Sequence, residues 1–324
     1  MLSTILIFQT KDSVVLYVCV MCMIVMFVSL KDRGDSTPEQ GSDEWFRFRR
    51  GRMTGSKPSS MCFSWSPWEP AEVINIKRCD NRCILDVLFE DGVRTKAFRK
   101  RCPQVGATIK VKKPATKESW QKQWDIVFSG DKEAFDDNAL ARMAWGSKHE
   151  DSCVKTLLNV FPTSIFYEIP CLTHPLYKWI AASPDGLMTL DGVKYNVEIK
   201  CPFSGVYEYD ADAPLRNSFK MIKKLKTKKT PPYYYMTQIH FEMTMQRVSK
   251  TIFAMWVPGH MRLWKMEFDP VYWAITLDAL DAFYKRIVPV KVLDQKMNRW
   301  INMSQSYANK CKVWKDIPFE SSDQ

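Results

Sequence analysis

The feature that most constrains this chain is a pair of short runs, Ser183-Pro184-Asp185-Gly186 and Glu198-Ile199-Lys200, with Asp191-Gly192 between them. An Asp-Gly step between two apolar runs signals a tight hairpin turn. Residues 195–200 alternate as a strand does, so Glu198 and Lys200 point to the same face. A hairpin closed at Asp191-Gly192 brings Asp185, at the far end of the preceding strand, near Glu198. An ordinary hairpin with solvated charges has the same spacing, and the pattern alone leaves both readings open. The more specific reading carries a chemistry. Two carboxylates hold a hard divalent cation through oxygen ligands. Such a cation lowers the pKa of a bound water and offsets charge on a scissile phosphate. A lysine two residues on lies beside the attacking water and the phosphate oxygens. This acid-x-Lys arrangement is the signature of a metal-dependent nuclease site.

Three other segments supply matching chemistry. Trp145-Gly146-Ser147-Lys148-His149-Glu150 stands at the start of a helical stretch, followed by Val154, Leu157, Leu158 and Phe161 at helical spacing. Glu150 is therefore expected in the first turns, facing the sheet, as a third acid. The run Tyr235 to Met243 reads as a helix with Gln238 and Glu242 one turn apart, and a glutamine there can donate to a phosphate. The run Trp45 to Ser56 combines arginines, a glycine and small hydroxyls, a mix suited to gripping a terminal phosphate by charge-assisted hydrogen bonds. Each segment also has a plainer reading: a solvated glutamate, an amphipathic core helix and a basic helix end.

Taken in order, the four segments read Trp45…Arg49-x-Gly51-x-x-Thr54-x-Ser56, Gly146-x-x-x-Glu150, Pro184-Asp185-Gly186…Glu198-x-Lys200 and Tyr235-x-x-Gln238-x-x-x-x-Met243. The ordered set resembles the lambda exonuclease family, also called YqaJ-like viral recombinases, within the PD-(D/E)xK nuclease superfamily. Viral alkaline nucleases are more distant relatives with similar motifs. The resemblance covers residues 45 to 290 and implies an α/β fold: a restriction-endonuclease-like core whose central mixed sheet is flanked by helices on both faces. It implies that Asp185, Glu198, the Ile199 carbonyl and Glu150 hold magnesium, with manganese able to substitute, and that Lys200 is the catalytic lysine. It implies that Arg49, Thr54, Ser56, Gln238 and Tyr235 bind DNA around a 5′-phosphate. Gly55 departs from the family, where alanine is common, and His240 stands where a second glutamine is frequent.

A family member would be a 5′→3′ exonuclease on double-stranded DNA ends, leaving a 3′ single strand for an annealing protein. Recombination, replication or repair in a large DNA virus or mobile element is the implied setting, in the nucleus or cytoplasm of a host cell. Some members form ring-shaped trimers. The same site also fits an endonuclease on DNA or RNA, and a non-catalytic, membrane-tethered DNA-binding protein is a third reading.

Composition agrees with a polyanionic partner, since the 324-residue chain carries a net charge of +11. Lys220, Lys223, Lys224, Lys226, Lys228 and Lys229 precede Pro231-Pro232. The run reads as a flexible loop able to touch the DNA backbone, as a nuclear localisation signal, or as a solvated loop. Four zones follow: a hydrophobic segment and linker over 1–40, the opening of the nuclease over 41–60, a β-rich insertion over 61–138, and the rest of the nuclease over 139–324. In the insertion, residues 71–76, 83–89 and 108–112 read as strands, and Asp91-Gly92 as a turn. A small basic barrel of the SH3 or Tudor sort fits. Residues 271–287 read as an amphipathic helix stopped by Pro289.

Residues 14–30 are largely apolar. They suit a transmembrane anchor, a signal-peptide core, or an extension that the nuclease fold does not use. The ten cysteines form no compact disulfide framework and read as reduced, mostly buried thiols. Cys79, Cys83 and Cys102 suit zinc but lack a fourth ligand. Only Cys311 is late, which argues against a cysteine-held iron–sulfur cluster. No Walker-type loop is present, which excludes a fused helicase motor.

Overall fold

The structure is a computed structural model that describes residues 42–65, 68–79, 82–128, 137–203 and 213–319. The apolar segment at 14–30 lies outside them. No helix among the described residues is long and apolar enough to cross a membrane.

The chain begins with α1 (Asp43–Arg49), β1 (Met53–Thr54) and α2 (Ser56–Ser64). Next come β2 (Trp68–Cys79), β3 (Arg82–Phe89), β4 (Arg94–Arg99) and β5 (Thr108–Lys112), then α3 (Lys117–Phe128) and α4 (Asp137–Val160). Strands β6 (Ile165–Tyr167), β7 (Leu172–Thr173), β8 (Ile180–Ala182), β9 (Gly186–Leu190) and β10 (Val193–Lys200) follow. Then come α5 (Ala213–Thr227), a 3-10 turn (Tyr233–Tyr235), α6 (Met236–Gln246), β11 (Lys250–Val257) and β12 (His260–Glu267). Two long helices, α7 (Pro270–Lys285) and α8 (Val290–Lys310), precede β13 (Val313–Pro318).

The central sheet runs β13-β12-β11-β10-β9-β6. Its β10 and β11 are parallel and its other pairs antiparallel. A parallel pair needs a crossover, and α5 with α6 supplies it. The β9–β10 hairpin closes at Asp191 (φ 51°) and Gly192 (φ 75°), as the Asp-Gly step predicts. Alternation sorts β10 cleanly. Tyr195, Val197 and Ile199 join Ile252, Ala254 and Trp256 of β11 on the face that packs against Cys153, Leu157 and Phe161 of α4. Glu198 and Lys200 share the opposite face with Phe253, Met255 and Val257, over which the larger core forms with α6, α7 and α8. Helices therefore flank both faces of a mixed sheet, as the family resemblance implied.

Four expectations need correction. Glu150 lies in the middle of α4, not in its first turns. The exposed first half of that helix buries no regular stripe, and Gly146 has open space around its would-be Cβ, so nothing in the sequence announces the earlier start. The lysine run from 220 to 226 is helical, not a loop, because Met221 and Leu225 bury one face of α5. Helix α7 ends at Lys285 with Arg286 left-handed at φ 54°, and Pro289 instead precedes α8, which the sequence reading did not single out. Cys83 and Cys102 are joined in a disulfide with Cα atoms 5.6 Å apart, which removes both from the reduced thiols and from any zinc set with Cys79.

Strands β2 to β5 form a separate antiparallel sheet in the order β4-β3-β2-β5, around its own core of Ala71, Val73, Leu85, Val87, Phe89, Ala97 and Val111. Arg99 on one edge strand donates to the Lys110 carbonyl on the other edge at 2.7 Å, so the sheet curls round on itself. Helix α3, by contrast, sends Trp120, Val127 and Phe128 into the main core.

Candidate active site

Asp185 immediately precedes β9, and the pairing of Gly186 with Val197 sets it beside Glu198 on β10. The backbone N–H of Ile199 donates to Asp185 Oδ2 at 2.6 Å. Gly186 is required here by space rather than by backbone angle. A Cβ on it would lie 2.2 Å from Cζ of Phe166 on β6, so the ring packs flush against the strand.

Glu198 is fully buried. Its Oε1 accepts from Gln238 Nε2 at 2.6 Å and pairs with the Lys200 ammonium. Its Oε2 is buried with no hydrogen-bond partner among the described residues. Burial pushes the Glu198 carboxyl well above the usual range, and the nearby Asp185 and Glu242 carboxyls push the same way. Burial raises Asp185 too, against the pull of Lys200 and the Ile199 N–H. Burial disfavours charge on Lys200, but Glu198 and Asp185 outweigh it and hold the ammonium above the ordinary lysine value. Tyr235 places its ring 5.4 Å from the Lys200 nitrogen. Glu150 approaches from the other face of the sheet, and burial, followed by the Asp185 charge, lifts it to about 7.

The sequence reading missed the polar layer beneath these groups. Gln238 also donates to Glu242 Oε1 at 3.0 Å. Glu242 Oε2 accepts from Asn196 at 3.0 Å, and Gln246 donates to Asn196 Oδ1 at 2.6 Å. Burial, then Asp185, raises Glu242 to about 7. A signal was present: Gln238, Glu242 and Gln246 recur every fourth residue along a helix rich in Met and aromatic residues, and Asn196 sits two residues before Glu198 on the same strand face. Gln238 therefore braces Glu198 directly. His240 lies away from this site. Its Nδ1 bonds the Met236 carbonyl at 2.8 Å and its Nε2 accepts from Asp269 N at 3.2 Å, and burial lowers it to about 4.

A second cluster gathers Arg49, Thr54 and Ser56. Strand β1 pairs in parallel with β8, which leads towards Asp185. Arg49 Nη2 donates to Thr54 Oγ1 at 2.9 Å and to Ser56 Oγ at 3.5 Å, and its guanidinium lies 3.9 Å from the centre of the Trp45 ring. No acidic side chain among the described residues pairs with Arg49. A Cβ at Gly55 would stand 3.0 Å from Cγ of Gln238, so the glycine lets the two clusters touch.

The donor set suits a divalent cation. Asp185, Glu198 and Glu242 stand together with a single lysine, their carboxyls raised by burial and, for Glu198 and Glu242, by the neighbouring Asp185, and Glu198 keeps one unbonded carboxylate oxygen. Among the described residues no three His, Cys, Asp or Glu side chains are grouped closely enough to hold an ion by themselves.

The sequence profile of the YqaJ-like viral recombinase domain matches residues 44–248. No curated relative matches the chain. Similar solved structures include LHK-Exo in complex with dAMP, at 18% identity over 83% of this chain and 99% of that one, TM-score 0.40. They also include the alkaline exonuclease LHK-Exo from Laribacter hongkongensis, at 17% identity over the same shares, TM-score 0.40.

Proposed function

Because this chain belongs to the YqaJ-like viral recombinase family of PD-(D/E)xK nucleases, we propose that it is a metal-dependent 5′→3′ exonuclease acting on double-stranded DNA ends. The observation that carries the reading is the pair of half-buried Asp185 and fully buried Glu198, tied together through the Ile199 N–H with Lys200 alongside. Asp185, Glu198 and the Ile199 carbonyl would hold magnesium or manganese, with Glu150 as the third acid. When bound, the ion supplies a water acidic enough to attack near neutral pH and offsets charge on the phosphodiester. Lys200 presents its ammonium to the attacking water and the phosphate oxygens. Gln238 holds Glu198 in place, and Tyr235 packs against Lys200.

Arg49, with Thr54 and Ser56, grips the terminal 5′-phosphate. The guanidinium has no carboxylate partner among the described residues and is fixed by two hydroxyls and a ring, which suits a charge-assisted bond to an incoming phosphate. Recognition of an end phosphate makes the enzyme start at ends. The 3′ strand left behind would pass to an annealing protein, and a trimeric ring is the assembly proposed with it. Residues 41–60 and 139–324 form the nuclease in this reading, and the β2–β5 sheet of the 61–138 insertion, which has its own core, extends the DNA-binding surface.

The test is digestion of linear duplexes by the full chain in magnesium, comparing 5′-phosphate, 5′-hydroxyl and covalently closed circular DNA. Fast digestion from 5′-phosphate ends alone is expected. Cleavage of the closed circle would replace the exonuclease with an endonuclease.

A further inference from the structure

A pocket of about 200 Å³ lined by Lys200 but not by Glu198 opens at the carboxyl ends of the parallel strands β10 and β11. Ligands of open α/β sheets settle at such strand ends. Lys200, Lys224 and Lys228 line it with the rings of Phe203, Tyr234 and Tyr235, and no carboxylate among the described residues does. Neither Lys224 nor Lys228 pairs with an acidic side chain among the described residues. Burial and the Lys224 charge both lower Lys228, so the two ammoniums are close enough to repel.

The fold invests in holding this pair. Arg262 is buried and its Nη1 donates to the carbonyls of Leu225, Lys226 and Lys228 at 3.0, 2.8 and 2.7 Å. Its other nitrogens bond Asp316 at 3.0 and 2.7 Å. The clamp neutralises the negative end of α5 and fixes the turn that carries Lys228. Two like charges therefore stand side by side over a ring-lined pocket, Lys224 exposed and Lys228 half-buried.

We propose that this pocket is a nucleotide subsite for the digested strand, seating the nucleotide that follows the scissile phosphate. Its phosphate lies on Lys224 and Lys228, and its base stacks on Phe203 and Tyr234. Base stacking on aromatic rings is tolerant of sequence, as digestion of arbitrary DNA demands. The subsite rests on the nuclease reading above and adds a second grip on the strand, beyond the Arg49 cluster. It keeps the next phosphodiester in line as each nucleotide is released.

The experiment compares the full-length protein with Lys224→Ala/Lys228→Ala and with Tyr234→Ala on two substrates. One is a linear 5′-phosphorylated duplex. The other is a nitrophenyl phosphodiester of a single nucleotide, which has nothing to place in the subsite. The double lysine variant should raise KM on the duplex about tenfold and flatten the salt dependence of DNA binding by about two in slope. Hydrolysis of the nitrophenyl ester should not change. Tyr234→Ala should weaken the duplex about tenfold, and an abasic site just after the scissile phosphate should erase that difference. Unchanged KM and salt slope would overturn the subsite. So would an equal loss on the nitrophenyl ester, because the lysines would then only be supporting Lys200. If the wild type hydrolyses neither substrate, the nuclease reading has failed. Fluorescence anisotropy of the duplex in calcium then decides the pocket alone: weaker binding by the lysine variant supports it, and equal binding ends it.

Discussion

Asp185 and Ile199, fourteen residues apart in sequence, are joined by a 2.6 Å hydrogen bond from the Ile199 N–H to Asp185 Oδ2. The bond uses the main chain of the Glu-x-Lys run to orient the carboxylate of the Pro-Asp-Gly run. In the function proposed above, Asp185 Oδ1 and the Ile199 carbonyl would face the cation. The spacing of the two runs is thus a matter of hairpin register, since Gly186 faces Val197 across the pair.

Removing the charge of Glu198 should abolish chemistry without abolishing binding. Glu198→Gln is expected to lower magnesium-dependent digestion on the order of 10³-fold or more, with duplex affinity in calcium nearly unchanged. Gln238→Ala removes the brace and not the carboxylate. It should cost about 10–100-fold and move the magnesium titration of activity to higher concentration. An unchanged titration would show that Gln238 does not position Glu198.

Arg49→Ala should erase the preference for a 5′-phosphate over a 5′-hydroxyl end while leaving slow end-independent hydrolysis. Arg49→Lys should restore part of it, because an ammonium keeps the charge and loses the planar fork. Competition between the two ends in one tube reads this directly. A preference that survives in Arg49→Ala would place the phosphate elsewhere.

Gly186→Ala drives a methyl into the Phe166 ring, 2.2 Å from Cζ. Overpacking of this kind costs about 1–3 kcal/mol, and melting should show it. Phe166→Ala alone should destabilise through a lost contact, yet the double variant should lose less than the sum of the two. Strict additivity would mean the ring does not explain the glycine.

His174 is buried, and its Nδ1 accepts from the backbone N–H of Leu176 at 3.2 Å and of Tyr177 at 3.1 Å. Burial lowers its pKa from the ordinary histidine value to about 4. The unfolded chain therefore binds a proton that the folded chain refuses between about pH 6.5 and 4. Stability is fully present above that window and falls as the pH drops through it, by about 3 kcal/mol for this group. Asn places an acceptor oxygen near the Nδ1 position and does not titrate. His174→Asn should flatten the fall in denaturation midpoint between pH 6.5 and 4 while keeping the midpoint at pH 7.5. A parallel fall in both proteins would show that other groups dominate, with His240 the next to replace.

Local patterns announced much of this molecule. The Asp-Gly turn, the alternation of β10, the apolar stripe of α7 and the fourfold spacing of Gln238 and Glu242 are short-range features, and each appears in the fold close to where the pattern puts it. Alternation alone put Glu198 and Lys200 on one face, because side chains along a strand point to opposite sides in turn. Contacts between distant segments decided the rest. Only tertiary packing turned Gln238 towards Glu198, brought Gly55 against it, and made Glu242, Asn196 and Gln246 a buried layer. A lysine-rich run that reads as a loop became a helix because Met221 and Leu225 found a core and Arg262, thirty-four residues beyond Lys228, capped its end. Cys83 met Cys102 because β3 and the turn after β4 close on each other. A sequence specifies residue chemistry and local periodicity; burial, partner choice and the resulting shifts in charge depend on which distant elements pack together.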